Sequence, residues 1–302
     1  VSYVVQKIAG DTEPDPQGGP PVQWYRGTQI HYNTPGQIAF ARRVKWQVAM
    51  QGTPPAPTVV NEYELAAMEY RYDGARQRYL VRPRDPAPVP LGPEFGTGVW
   101  SEYMGDEIYG DYSVGSSATN PLVTDTMSHV PGLGQVDLTT PGGVVAGYLH
   151  GNLIGTNEAA SGPAGALAGR AVYTAFGEPV CGAGGVSGCV AGNQPVDSRY
   201  GYAGAWGYQS GDWDDSNGAC DTGNSSQSCD PLAALGWLHV GARYYDPASG
   251  RFVQRDPIGI AGGMNTYVYV DNLPVSDFDP DGLNPIWRQQ IRRASGRFGP
   301  KR

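Results

Sequence analysis

Residues 241–259 read GARYYDPASGRFVQRDPIG, and two short motifs follow, NTYVY at 265–269 and DPDGL at 279–283. Tyr, Val, Phe and Arg in short runs, broken by Asp-Pro, Ser-Gly and Asp-Gly, describe strands closed by turns. Aromatic and β-branched side chains suit a pleated, half-buried surface, and Pro, Gly and Asp punctuate it. Residues 237–245 alternate, which predicts a strand with Leu238, Val240, Ala242 and Tyr244 on one face and Trp237, His239, Arg243 and Tyr245 on the other. Asp246 to Gly250 then turns the chain into 251–255, and 266–270 reads as a further strand. Only 286–294 has helical spacing, with Trp287 and Ile291 four apart.

Working outward, the same composition fills the chain. Its 302 residues, 40% hydrophobic, can build one large all-β domain or two smaller ones. The 44 Gly and 26 Pro are spread between Tyr-, Val- and Leu-rich runs, as many short strands require. Nineteen Tyr against six Phe point to sheet faces whose buried rings still need hydrogen-bonding tips. EYRYDGARQRY at 69–79 places Asp73-Gly74 where a hairpin turn of type I′ character belongs. Upstream, 14–21 and 53–57 read as loops around a strand-like stretch, 82–95 as a Pro-rich surface crossing, and 210–231 as an inserted Asp/Ser/Asn/Gly loop.

No run of 18 apolar residues and no signal-like segment is present, so the sequence predicts no membrane span. The net charge is −8, yet Arg288, Arg292, Arg293, Arg297, Lys301 and Arg302 make 284–302 a basic tail and leave the body at −14. Such a body argues against nucleic acid as a partner. Cys181 with Cys189, and Cys220 with Cys229, form two close pairs on Gly/Ser/Asn-rich loops. This spacing suggests two local disulfides in a secreted protein, with free thiols and a metal site as alternatives. His31, His129, His150 and His239 are scattered, and the acidic stretch 212–218 lacks the Gly and Glu placement of a calcium loop. The sequence therefore predicts no metal and no cofactor, and no nucleotide fingerprint or Ser/His/Asp set is visible.

With YLHGNLIGT at 148–156 and AVYTAFGEP at 171–179 added, the chain closely resembles the module that closes bacterial RHS (rearrangement hotspot, or YD-repeat) proteins. That family includes polymorphic toxins and insecticidal toxin-complex components. The resemblance implies an all-β fold, a spiralling antiparallel sheet of RHS/YD repeats that forms a partial shell and ends in the RHS core. It divides the chain into a degenerate repeat region at 1–144, the core at 145–283 with its insertion at 210–231, and the tail at 284–302. It also implies that Asp256 and Asp279 form an aspartic-protease-like pair that cuts the chain after Leu283, before Asn284. Arg243 best matches the arginine that orients such a pair, with Arg251 as second candidate. The isolated alternative for these aspartates is a turn cap, the reading preferred for Asp230 and Asp246.

On this reading the partners are upstream RHS repeats and the protein's own C-terminal segment as cargo, in a bacterial protein that is secreted or on the cell surface. Val1 in place of an initiator Met suggests a fragment, and the 19 residues after Leu283 are too few to form an effector alone. The runner-up is a secreted or cell-surface structural or adhesion protein of β-repeats without protease activity, for which exposed Tyr and Trp could supply a glycan-binding surface.

Overall fold

The computed structural model describes residues 2–6, 12–13, 22–51, 56–83, 98–104, 107–114, 123–130, 133–139, 143–181, 199–210, 231–232, 235–283 and 286–287. Thirteen strands form one antiparallel sheet. In chain order they are β1 (Ser2–Gln6), β2 (Thr12–Glu13), β3 (Val22–Tyr32), β4 (Ile38–Gln51), β5 (Ala56–Tyr72), β6 (Arg78–Pro83) and β7 (Gly98–Met104). The sheet continues with β8 (Glu107–Val114), β9 (Val123–Val130), β10 (Gly134–Asp137), β11 (Val144–Gly151), β12 (Asn157–Ser161) and β13 (Leu167–Arg170). From β3 onward each strand pairs with the next, and most pairs contain a β-bulge, which increases local twist. The fold is the all-β repeat sheet that the sequence predicts, and it crosses 144/145 without a break.

One turn recurs along it. At Asn33–Gln37, Asp73–Gln77, Asn152–Thr156, Gly162–Ala166 and Thr174–Glu178, the first N–H donates to the fifth carbonyl and the fourth N–H to the first. The first side chain also accepts the fifth N–H in four of these turns, through Asn33, Asp73, Asn152 and Thr174. The fourth residue is left-handed: Gly36, Gly155, Gly165, Gly177 and, in the YD segment, Arg76 at φ 70°. The expected Asp73-Gly74 hairpin is therefore present, but as a five-residue turn whose left-handed position is Arg76, and Gly74 is not left-handed.

Beyond the sheet lie two-stranded and three-stranded pieces: β14 (Val172–Tyr173) with β15 (Pro179–Cys181), β16 (Leu238–Val240) with β17 (Arg243–Asp246) and β18 (Arg251–Phe252), and β19 (Asp277–Phe278) with β20 (Ile286–Trp287). Residues 237–245 are not one alternating strand. The chain reverses at Gly241-Ala242, pairing Val240 with Arg243, and Leu238, His239 and Val240 are all buried because both faces are covered. Residues 266–270 contribute only a bridge between Val268 and Arg251 before Val270, Asp271 and Asn272 turn left-handed. The expected helix does not begin at Ile286, since Ile286 and Trp287 pair as a strand with Phe278 and Asp277. Residues 288–302, Cys189, Cys220, Cys229 and the 212–218 loop lie outside the described residues, and of Cys181 only the backbone is described.

The core module packs an interior of Tyr202, Tyr208, Leu238, Val240, Tyr245, Phe252, Tyr269 and Val270. It docks on the sheet by seating Leu232 and Tyr244 against Ile30, Ile38, Ala41, Met68, Tyr70 and Val81. Tyrosine tips are satisfied by distant backbone carbonyls, Tyr72 on Ile38 at 3.0 Å and Tyr245 on Phe176 at 2.7 Å. Buried arginines tie the layers together. Arg78 of β6 donates to the Tyr244 hydroxyl at 2.8 Å and to Gln209 at 2.9 Å, while Arg199 pairs with Asp111 of β8 at 2.8 Å.

Candidate active site

Three carboxylates and one arginine meet where the core hairpin abuts the chain's later turns. The reversal at Gly241 is tight because an added Cβ there would fall 2.2 Å from the Asp281 carbonyl, and Gly241 has φ 51°. The close approach lets Ala242 N–H donate to the Asp281 carbonyl at 2.9 Å and sets Arg243 beside the DPDGL segment. Arg243 is 2% exposed. Its Nη2 lies 3.2 Å from Asp256 Oδ2 and 3.4 Å from Asp279 Oδ2, its Nη1 donates to the Thr266 carbonyl at 3.2 Å, and its Nε donates to the Gly282 carbonyl. The guanidinium also stacks 3.5 Å from the Phe252 ring centroid.

Each aspartate is fixed separately. Asp256 accepts the Ile258 N–H at 2.9 Å through its side chain, and its own N–H donates to the Thr266 carbonyl at 2.9 Å. Asp279 N–H donates to the Tyr208 hydroxyl at 2.8 Å, which in turn lies 3.1 Å from the Tyr269 hydroxyl. Leu283 N–H is shared between Asp279 Oδ1 and Asp281 Oδ1, each at 3.0 Å. Burial pushes the Asp279 carboxyl up to about 8, hydrogen bonding with Asp281 adds to the rise, and the Arg243 charge opposes it. Burial also lowers the Arg243 guanidinium.

The Leu283 carbonyl and Asp256 both border Gly262. A Cβ added to Gly262 would lie 2.6 Å from Asp256 Oδ2 and 3.0 Å from the Leu283 carbonyl oxygen, so only a glycine lets these two atoms share that space. The cleft is completed by Val270 and Asp271, both with positive φ. Past Leu283 the chain returns as β20 alongside β19, which places the Leu283–Asn284 bond in their connection. Asn284 itself is outside the described residues.

Of the residues singled out in the sequence, Arg243, Asp256, Asp279 and Leu283 come together. Arg251 does not: it is exposed on β18 opposite Asp246, because strand alternation turns it away from the buried face that Phe252 occupies. Gly262, Asp281, Tyr208 and the Thr266 carbonyl were not singled out. Gly262 and Asp281 stand inside or beside the motifs, but only tertiary approach gives them a role. Among the described residues there is no group of three or more His, Cys, Asp or Glu placed to hold a metal, and no helix long and apolar enough to cross a membrane.

No protein-family model matches the chain. Toxin subunit YenC2 of Yersinia entomophaga is 43% identical over 53 residues, which are 18% of this chain and 6% of that relative. RhsA of Dickeya dadantii is 61% identical over 41 residues, 14% of this chain and 3% of that relative. The chain thus matches only a small part of either protein's length. The solved TcdB2-TccC3 structure aligns with 85% of this chain at a TM-score of 0.51 and 19% identity, using 10% of its own chain, which is a likeness of fold. The chain is thus similar over a short stretch to an Rhs protein and a toxin subunit of RHS (YD-repeat) type, and it shares the long β-sheet fold of the TcdB2-TccC3 structure.

Proposed function

We propose that the chain is part of an RHS β-shell that cuts itself between Leu283 and Asn284 and so frees the segment that follows. The observation that carries this reading is the buried Asp256–Arg243–Asp279 cluster closing on the Leu283 carbonyl. Water adds to the Leu283 carbonyl carbon as Asp256 takes a proton from it. Asp279, a neutral acid near pH 7, gives its proton to the departing Asn284 nitrogen. The C–N bond breaks, leaving a carboxyl on Leu283 and an amine on Asn284. Arg243 holds both side chains in place, and because the bond belongs to the same chain no substrate has to be captured.

The shell reading draws on the sheet. Among the described residues β1 pairs only with β3, so its other edge can accept further repeats. Segregation of a C-terminal cargo, a secreted or surface location and disulfides within the cysteine pairs fit this reading together. Intact mass of the complete natural polypeptide tests it. The wild type is expected to yield a new N-terminus at Asn284, and Asp256→Asn or Asp279→Asn to remain whole, since an amide cannot exchange the proton. Equal cutting in both variants would refute the assignment.

A further inference from the structure

The geometry points to Asp281 as a third carboxyl of this site, a positioning residue that holds the Leu283 N–H together with Asp279. The inference rests on the cleavage reading above and names a residue which that reading leaves idle. Three observations support it. First, Asp281 Oδ1 accepts the Leu283 N–H at the same 3.0 Å as Asp279 Oδ1, so the two carboxyls converge on the residue whose carbonyl is cut. Second, Asp281 raises the Asp279 carboxyl, through side-chain hydrogen bonding and through its charge. Burial of Asp279, which is 2% exposed, is the largest cause of that rise. Third, the Asp281 backbone is pinned by the Ala242 N–H and by its contact with Gly241, so its side chain is held in place beside Arg243.

The charged and titratable groups around the pair are Arg243 from β17, Asp256 after β18, and the Tyr208 hydroxyl, backed by Tyr269. Asp281 also lines a second cavity of about 190 Å³ with Gln77, Tyr103, Gln209, His239 and Leu283. Arg243 pulls Asp279 toward the ionised form and Asp281 pushes it back. Asp281 therefore acts through Asp279, keeping the acid loaded until the bond breaks.

The test uses the complete natural polypeptide, isolated uncut in denaturant and refolded into buffers from about pH 5 to about pH 9, with the cut fraction followed by intact mass. Asp281→Asn keeps an acceptor for the Leu283 N–H but loses the charge. Its rate on the acid side is expected to stay within about threefold of wild type, while the basic limb of the profile moves down by about one pH unit. Asp281→Ala should show the same shift and, with the N–H contact gone, a further loss of about tenfold at every pH. Circular dichroism on both variants verifies refolding. A basic limb unchanged in both overturns the inference, because a merely structural residue would lower the rate without moving the limb. The cleavage reading fails separately, if Asp279→Asn cuts at the wild-type rate or the wild type cuts at no pH.

Discussion

Gly262 shows how a missing side chain can be as decisive as a charged one. Its φ is not in the left-handed range, so alanine suits its backbone, and the only obstacle is the space it shares with Asp256 Oδ2 and the Leu283 carbonyl. Neither neighbour yields easily, because Asp256 is held by the Ile258 N–H and by Arg243. Gly262→Ala should therefore fold normally while parting carboxylate from carbonyl, and a displacement of order 1 Å costs about 10- to 100-fold in rate. A refolding time course read by intact mass, beside a thermal melt, checks this; an unchanged rate would show that the contact is not needed. Arg243, Asp256 and Asp279 were legible in the sequence because the motif fixes them. Gly262 and Asp281 were not, because their roles arise where residues about twenty apart in sequence close on one carbonyl.

At the scale of the element, the five-residue turn sets the spacing of the hairpins, and its fourth residue pays the conformational cost. Arg76 occupies that left-handed position without being glycine. Arg76→Gly should stabilise the protein by about 1 kcal/mol, a rise in Tm of roughly 2–4 °C. Gly177→Ala should do the reverse and by more, at least about 2 kcal/mol, since φ is 95° and the new methyl would lie 2.6 Å from the Tyr202 ring. Calorimetry on the two variants decides whether the turn is under this conformational control. Only Asp73-Gly74 stood out in the sequence, and the type I′ reading put the special residue at the wrong place. The other turns, NTPGQ, NLIGT, GPAGA and TAFGE, share little beyond one glycine, so backbone hydrogen bonding rather than composition reveals the period. Alternation likewise misled at 237–245, where burial on both faces removes the polar side on which the pattern depends.

For the whole molecule, the join between sheet and core is partly ionic. Asp111 of β8 accepts Ser101 Oγ at 2.7 Å, faces His129 Nε2 at 2.5 Å and pairs with Arg199, which also reaches Gln209. Burial opposes its ionisation, but Arg199 and these hydrogen bonds overcome that and hold the carboxyl down to about 2. A depressed carboxyl contributes stability that is complete above its unfolded value near 4 and is lost as pH falls toward 2, here about 2 kcal/mol. Urea midpoints should drop across that window in the wild type, whereas Asp111→Asn should start lower at pH 7 and stay flatter. The Arg243 cluster would have a different consequence, one of direction in time. A cut at Leu283 would plant a new terminal carboxylate among Asp256, Asp279 and Asp281, with Arg243 the one cation among them in the described residues. Repulsion then opposes every step back toward the peptide bond. On the proposed cleavage, the same crowding would work as a ratchet afterwards, leaving each cut molecule a permanent record of the event.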